Sequence, residues 1–314
     1  MLDAATADQD IAGIALTGLT ATPKTLPPKL FYDAEGVRLF EAITRMPEYY
    51  LTRTERALLA QVAPEIVALA APGSVLVEYG ASDEGKGAML LDASPGRFAA
   101  YLPVDVAAGA LADMAERLLS SRPGLRVHPY CGDFLRPLTL PPSVAGMGRF
   151  GFFPGSTIGN LDPDAARGFL AEAGRTLGTG AWLVVGVDLR KDPAILLPAY
   201  DDAQGLTAAF NLNVLAHLNR EAAANFDLAG FRHRAVWNAG EGRIEMHLQS
   251  LAAQQVTLAG TRIDFASGET IHTENSYKHT VAGFADLAQS AGWRPVHVWT
   301  DDADRFSIHA LQAG

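Results

Sequence analysis

Between residues 74 and 187 strand-like and helix-like segments alternate, and this rhythm constrains the fold more than anything else in the chain. Val75 to Tyr79 reads as a strand, Glu84 to Leu91 as a helix and Phe98 to Val104 as a second strand. A helix from about Ala107 to Leu119 follows, then strands at Leu125–Tyr130, Phe150–Phe153 and Ala181–Val187. Strands joined by helical crossovers build a parallel sheet covered on both faces. Past residue 190 the rhythm stops: helices are expected near 194–226, and strand-like segments around Arg243–Leu251, Gln255–Leu258 and Arg262–Phe265. It returns with a helix at Val281–Ala291 and two strands, Val296–Thr300 and Arg305–Leu311, joined by the turn-rich Asp301–Asp304. The pattern predicts an α/β, doubly wound sheet interrupted by an insertion. The insertion and the N-terminal segment are expected to form a second, α+β domain.

A chain of 314 residues is long for one hydrophobic core, which supports the division. Its net charge of −10 argues against a nucleic-acid partner, because phosphate binding needs clustered Lys and Arg. No apolar run approaches the roughly eighteen residues of a membrane span, so no membrane partner is expected. The single cysteine, Cys131, leaves no intrachain disulfide and no cysteine-based metal cluster. With an acidic start (MLDAATADQD) unlike a signal peptide, the expectation is a cytoplasmic monomer acting on a small molecule.

The richest motif is GRFGFFPGSTIGNLDP, residues 148–163. A buried strand ends in a small polar loop, Gly155 to Asn160; Asp162 then offers an N-cap and Pro163 a first helical residue. Ligands of open α/β sheets bind at such carboxyl ends of strands, although an ordinary strand–helix turn would read the same way. Three further strand ends carry cofactor signals. Gly80 lets a ligand approach the backbone, Asp105 stands where a ribose would be held, and Asp133-Phe134 suits an adenine, with a carboxylate for its amino group and a ring for stacking. The alternative for both aspartates is capping of the next helix. Together the three favour S-adenosylmethionine over a nicotinamide, since Ser82 stands where a dinucleotide fingerprint has its second glycine. In Ile271–Lys278 an extended chain would face Thr273, Asn275 and Tyr277 one way, and Glu274 and Ser276 the other. A carboxylate and a hydroxyl on one face can hold an N–H-bearing group.

FYDAEG, MPEYYLTRTE, PGSTIGN, AYDD, AAFNLN, RIEMHL and IHTENSYK follow one another in an order and spacing that resembles the histidine Nα-methyltransferases of ergothioneine biosynthesis, from about Leu26 to the C-terminus. The closing helix and hairpin are likewise typical of class I methyltransferases. The resemblance implies a class I, Rossmann-like methyltransferase domain over 55–189 and 279–314. It implies a substrate domain over 1–54 and 190–278, with the active site between them. The reaction would be trimethylation of the α-amine of L-histidine to hercynine, with S-adenosyl-L-homocysteine as by-product. It further implies that Tyr49, Asn160 and Tyr200 hold the α-amino and α-carboxylate groups, Tyr49 and Asn160 acting catalytically. Gly155 and Met246 would shape the pocket, and Glu274 and Ser276 would take the imidazole. Tyr32, Gly80, Lys86, Asp105, Asp133 and Phe134 would line the S-adenosylmethionine site.

One departure stands out: the family carries a second glycine where this chain has Ser82, and the following Asp83–Gly85 is unusual. Two other readings remain at this point. One is a methyltransferase of another aromatic amino acid, such as tryptophan; retention of Met246 and Glu274 argues for histidine. The other is a catalytically silent S-adenosylmethionine-binding protein. No metal is expected: the eight histidines show no H-E-x-x-H spacing, and His247, His272, His297 and His309 read as packed strand residues.

Overall fold

The computed structural model describes residues 2–3, 10–81 and 84–314. Ser82 and Asp83, the core of the departing glycine loop, lie outside the described residues. The chain divides into two compact units. One comprises Leu51–Arg190 and Lys278–Gly314 with the strand Leu2–Asp3; the other comprises the described part of Thr6–Tyr50 and Lys191–Tyr277. No helix of the described residues is long and apolar enough to cross a membrane.

The first unit is built on one sheet. Its order runs Leu2–Asp3, Tyr130–Cys131, Phe98–Asp105, Ser74–Tyr79, Arg149–Phe153, Trp182–Asp188, Phe306–Ala313, Trp293–Thr300. The strands are parallel through Trp182–Asp188; the last two are antiparallel. Every residue of Ser74–Tyr79 is buried, as expected of a strand covered on both faces. Leu76, Phe150, Phe152 and Val184 meet Leu59, Ile66 and Leu90 on one side. Val75, Val77 and Val185 meet Phe169, Leu170 and Phe284 on the other. The strand order reverses between Ser74–Tyr79 and Arg149–Phe153, which is the switch point where ligands of such sheets bind. This is the doubly wound sheet that the strand–helix rhythm predicts. The expected strand Leu125–Tyr130 is broken into Arg126–Val127 and Tyr130–Cys131, because Pro129 has no N–H to give the ladder.

The second unit holds the helices Ile11–Leu19, Ala34–Ile43, Pro193–Tyr200 and Leu206–Glu221. Its sheet runs Lys24–Thr25, Thr270–Tyr277, Arg243–Ser250, Phe231–Asn238, beside a hairpin of Gln254–Leu258 and Thr261–Phe265. In Thr270–Tyr277 the register carries a bulge: Met246 pairs with Glu274 and His247 with His272, leaving Thr273 as the extra residue. The hydroxyl of buried Thr273 lies 3.0 Å from the Met246 carbonyl and 2.8 Å from Asn211 Oδ1, so the bulge is pinned on both sides.

In the first unit the side chains of Asp188 and Lys278 form a fully buried ion pair of 2.7 Å. Removing one member leaves a buried charge uncompensated. Lys278→Met is expected to cost about 3–5 kcal/mol in urea denaturation, with part of the loss recovered by adding Asp188→Asn. Burial holds His279 and His309 down to about 4, with Lys278 and Arg190 opposing protonation of His279, and His279 opposing that of His309. Unfolded histidine titrates near 6.5, so the unfolded chain binds more protons between about 4 and 6.5. Their contribution to stability is complete above that window and is lost as pH falls through it. His309→Gln should flatten the pH dependence of the unfolding free energy over this range.

Candidate active site

At the carboxyl edge of the parallel sheet, backbone hydrogen bonds tie neighbouring turns together. The N–H groups of Gly80 and Ala81 donate to the Val104 carbonyl at 2.9 and 3.1 Å, and Gly132 N–H donates to the Asp105 carbonyl at 2.9 Å. Gly80, Asp105 and Asp133 therefore occupy three adjacent turns. Gly80 has φ +71°, and a Cβ built there would look onto Phe153, Thr157 and Phe134 at 3.8–3.9 Å. Phe134 is fixed edge-on against Phe153 and Phe169, at 5.3 and 5.6 Å between centroids. Neither aspartate takes the alternative role of helix N-cap. Asp105 Oδ1 accepts from Ala107 N–H at 2.9 Å, and Asp133 Oδ1 from Leu135 N–H at 2.9 Å, both tight side-chain turns. Burial pushes the Asp105 carboxyl up, against the pull of the Ala107 and Val106 N–H groups.

The loop Gly155–Asn160 is anchored from two directions within the same unit. Buried Glu55, on the helix Tyr50–Ala68, accepts the Gly155 N–H with both oxygens at 2.8 and 3.0 Å. The same carboxylate pairs with Lys86 Nζ at 2.6 Å. Ser156 sits in the left-handed region, φ 55°, and its hydroxyl accepts Asp188 N–H at 2.9 Å. Gly186 makes room for the clamp: a Cβ there would fall 2.2 Å from Glu55 Oε1. Gly87 does likewise for the helix Glu84–Ala93, where a Cβ would fall 2.1 Å from Glu78 Oε2. Beyond the loop, Asp162 caps the next helix as expected, accepting Ala165 N–H at 2.8 Å.

In the second unit, directly paired residues share a face. The bulge at Thr273 therefore brings Glu274 beside Met246 and Ser276 beside Ile244, on the face where Ile271 pairs with Leu248. Ser276 and Tyr200 are buried, with their hydroxyls 2.7 Å apart. Tyr49 stacks edge-on to Tyr200 at 6.3 Å and to Phe40 at 6.2 Å, and Tyr32 meets Phe40 and Phe210 at 6.0 and 5.9 Å. Tyr32, expected with the cofactor residues, thus belongs by sequence to the second unit while Gly80, Lys86, Asp105, Asp133 and Phe134 belong to the first. Behind the tyrosines, the fully buried Asn211 donates to the His247 carbonyl at 3.1 Å and contacts His233 Nδ1 at 2.8 Å; His233 Nε2 reaches the Tyr200 carbonyl at 2.8 Å. A carbonyl only accepts, so this ring carries its proton on Nε2 and takes the Asn211 amide proton on Nδ1. Burial keeps His233 below its ordinary range.

Comparison with known proteins decides the family. The pattern described as "Histidine-specific methyltransferase, SAM-dependent" matches residues 10–313. This chain belongs to that family. It is 46% identical over 295 residues to a histidine N-alpha-methyltransferase of Mycolicibacterium smegmatis, covering 93% of this chain and 91% of that one. A histidine N-alpha-methyltransferase of Mycobacterium tuberculosis is 42% identical over 296 residues, with the same coverage of each chain. A 4-dimethylallyltryptophan N-methyltransferase of Claviceps purpurea is 26% identical over 325 residues, 95% of this chain and 93% of that one.

S-Adenosylmethionine, which the family uses, fits the residues present. Gly80 leaves its turn open toward an aromatic wall, Asp105 offers a carboxylate to a diol, and Phe134 is held rigidly enough to stack. Glu55, Gly186, Asn211, His233 and the bulge at Thr273 escape sequence reasoning, because each acts through a partner remote in the chain. The FNLN motif was the one hint of Asn211. Glu55→Ala is expected to leave Lys86 and the Gly155 N–H unpaired, costing about 3–5 kcal/mol in urea denaturation. Hydrogen exchange should show the Gly155 amide losing protection, while Glu55→Gln, which keeps an acceptor, loses less.

Proposed function

We propose that this enzyme transfers three methyl groups in succession to the α-amine of L-histidine, giving hercynine, the first step of ergothioneine biosynthesis, and that it does so as a cytoplasmic monomer. The observation that carries the substrate assignment is the bulge that gathers Met246, Glu274 and Ser276 on one face, in a chain 42–46% identical to two histidine N-alpha-methyltransferases. Glu274 accepts the imidazole N–H in this reading, and Ser276, oriented by Tyr200, meets the other ring nitrogen. Tyr49 and Tyr200 take the carboxylate end. Gly80, Lys86, Asp105, Asp133, Phe134 and Tyr32 hold the cofactor, Asp105 accepting from the ribose hydroxyls and Phe134 stacking on the adenine.

When bound, S-adenosylmethionine supplies an electrophilic methyl group on a sulfonium, passed in line to an unprotonated amine. The protein provides no nucleophile, so its contribution is alignment, which in favourable cases lowers a barrier by roughly 7–11 kcal/mol. The α-amine of a free amino acid titrates above the ~8 of a chain terminus. The proton leaves to water, and Asn160 and Tyr49 accept from the N–H groups of the neutral amine, which turns its lone pair toward the methyl group. Each methylation removes an N–H, so the grip on later intermediates rests on carboxylate and imidazole. That is why Glu274 and Ser276 serve the ring rather than the amine.

A mass-spectrometric assay offering each of the twenty free amino acids with S-adenosylmethionine is expected to give trimethylated histidine as the dominant product. Methylation of another amino acid in its place would overturn the substrate assignment. Loss of the Glu274 carboxylate leaves the imidazole N–H unpaired, at a cost of about 1–3 kcal/mol. Glu274→Ala should therefore lower kcat/KM for histidine by roughly tenfold to a hundredfold and narrow its preference over phenylalanine. Unchanged selectivity would contradict the role given to Glu274.

A further inference from the structure

The same bulge that turns Glu274 and Ser276 toward Met246 leaves a second constellation on the opposite face of the sheet. Glu245, His247 and His272 meet there, one potential ligand atom of each lying within 4.8 Å of the other two. We propose that these three residues form a binding site for a zinc-class divalent cation, separate from the residues assigned to methyl transfer.

The donor set is one that zinc takes, two imidazoles and a carboxylate, with the remaining position left to water. His247 Nε2 and Glu245 Oε2 are 3.1 Å apart, close to the roughly 3.3 Å between two ligands held about 2.0–2.1 Å from one tetrahedral ion. The carboxylate is oriented as a ligating one is: Oε1 is occupied by Arg243 Nη2 at 2.7 Å and Asn238 Nδ2 at 2.9 Å, leaving Oε2 turned toward the imidazoles. His272 has an outer partner too, its Nε2 3.1 Å from the Glu274 carbonyl. The two rings lie nearly parallel with centroids 4.7 Å apart. Side-chain exposures of 16% for His247 and 13% for Glu245 leave the cluster open to an ion from solution. An ion here would tie the strand bearing Met246 to the strand bearing Glu274 from behind. The linear sequence hides the site, because His272 enters it only through the sheet register.

The site does not depend on the methyl-transfer reading, so it is tested without substrate. Metal-free full-length protein titrated with Zn2+ in a calorimeter should bind one ion, and Co2+ should give the visible bands of a tetrahedral N/O site. His272→Ala and Glu245→Gln should each weaken Zn2+ binding by at least about tenfold, a loss that even an outer-shell partner can cause. Their circular dichroism should stay that of the wild type. No stoichiometric binding by the wild type, an octahedral Co2+ spectrum, or Zn2+ affinity untouched by both substitutions would each overturn the proposal.

Discussion

One extra residue in one strand governs the chemistry of the second unit. Side chains alternate along a strand with period two, so a single inserted residue exchanges the faces of everything beyond it. Without the bulge at Thr273, alternation from Ile271 would place Thr273, Asn275 and Tyr277 on the face of Leu248. With it, Glu274 and Ser276 occupy that face beside Met246 and Ile244. A bulge needs compensation for its unpaired residue, and Thr273 has it in a hydroxyl set between the Met246 carbonyl and Asn211. Asn211 in turn spends its whole amide on Thr273, the His247 carbonyl and His233. The specificity we assign to Glu274 thus rests on a buried polar network in which each member fixes the next, an arrangement that specifies one geometry when fully satisfied.

The first unit reaches rigidity by a different route. The turns at its carboxyl edge belong to a parallel sheet whose core is complete without them, and they are locked by lateral backbone bonds and by buried charge. Glu55 holds the Gly155 peptide and Lys86 at once, while Ser156 ties the same loop to Asp188, itself paired with Lys278. Two buried ion pairs behind the loop Gly155–Asn160 are expensive as stability devices, since hydrophobic replacements often do as well. Their value lies in holding a loop that contains a left-handed serine and a left-handed glycine in one conformation. For a reaction that depends on alignment, that is the property required.

Much of the sheet was legible in the sequence because parallel, doubly covered strands write themselves as continuous apolar runs, as in Val75–Tyr79 and Phe150–Phe153. The cap at Asp162 was legible for a similar reason: its partner is three residues away. Other elements were not. The helix Ile11–Leu19, capped by Asp10 through Gly13 N–H, lies ahead of every element read from the sequence. The strand Phe231–Asn238 escaped because two arginines and a histidine within it obscure its alternation. Domain boundaries expected at 54/55, 189/190 and 278/279 compare with divisions at Tyr50/Leu51, Arg190/Lys191 and Tyr277/Lys278. Among the candidate site residues, types and positions came from local motifs and from the family resemblance. Which side of the sheet Glu274 and Ser276 share with Met246 came only from register, a long-range property that no local pattern encodes.

The account turns on that register, and a crystal structure of the enzyme with L-histidine and S-adenosyl-L-homocysteine tests it most directly. The predicted result is an imidazole lying against Met246, with one ring nitrogen donating to the Glu274 carboxylate and the other within hydrogen-bond distance of Ser276 Oγ. An imidazole bound away from that face, with Glu274 contacting neither nitrogen, would contradict the account.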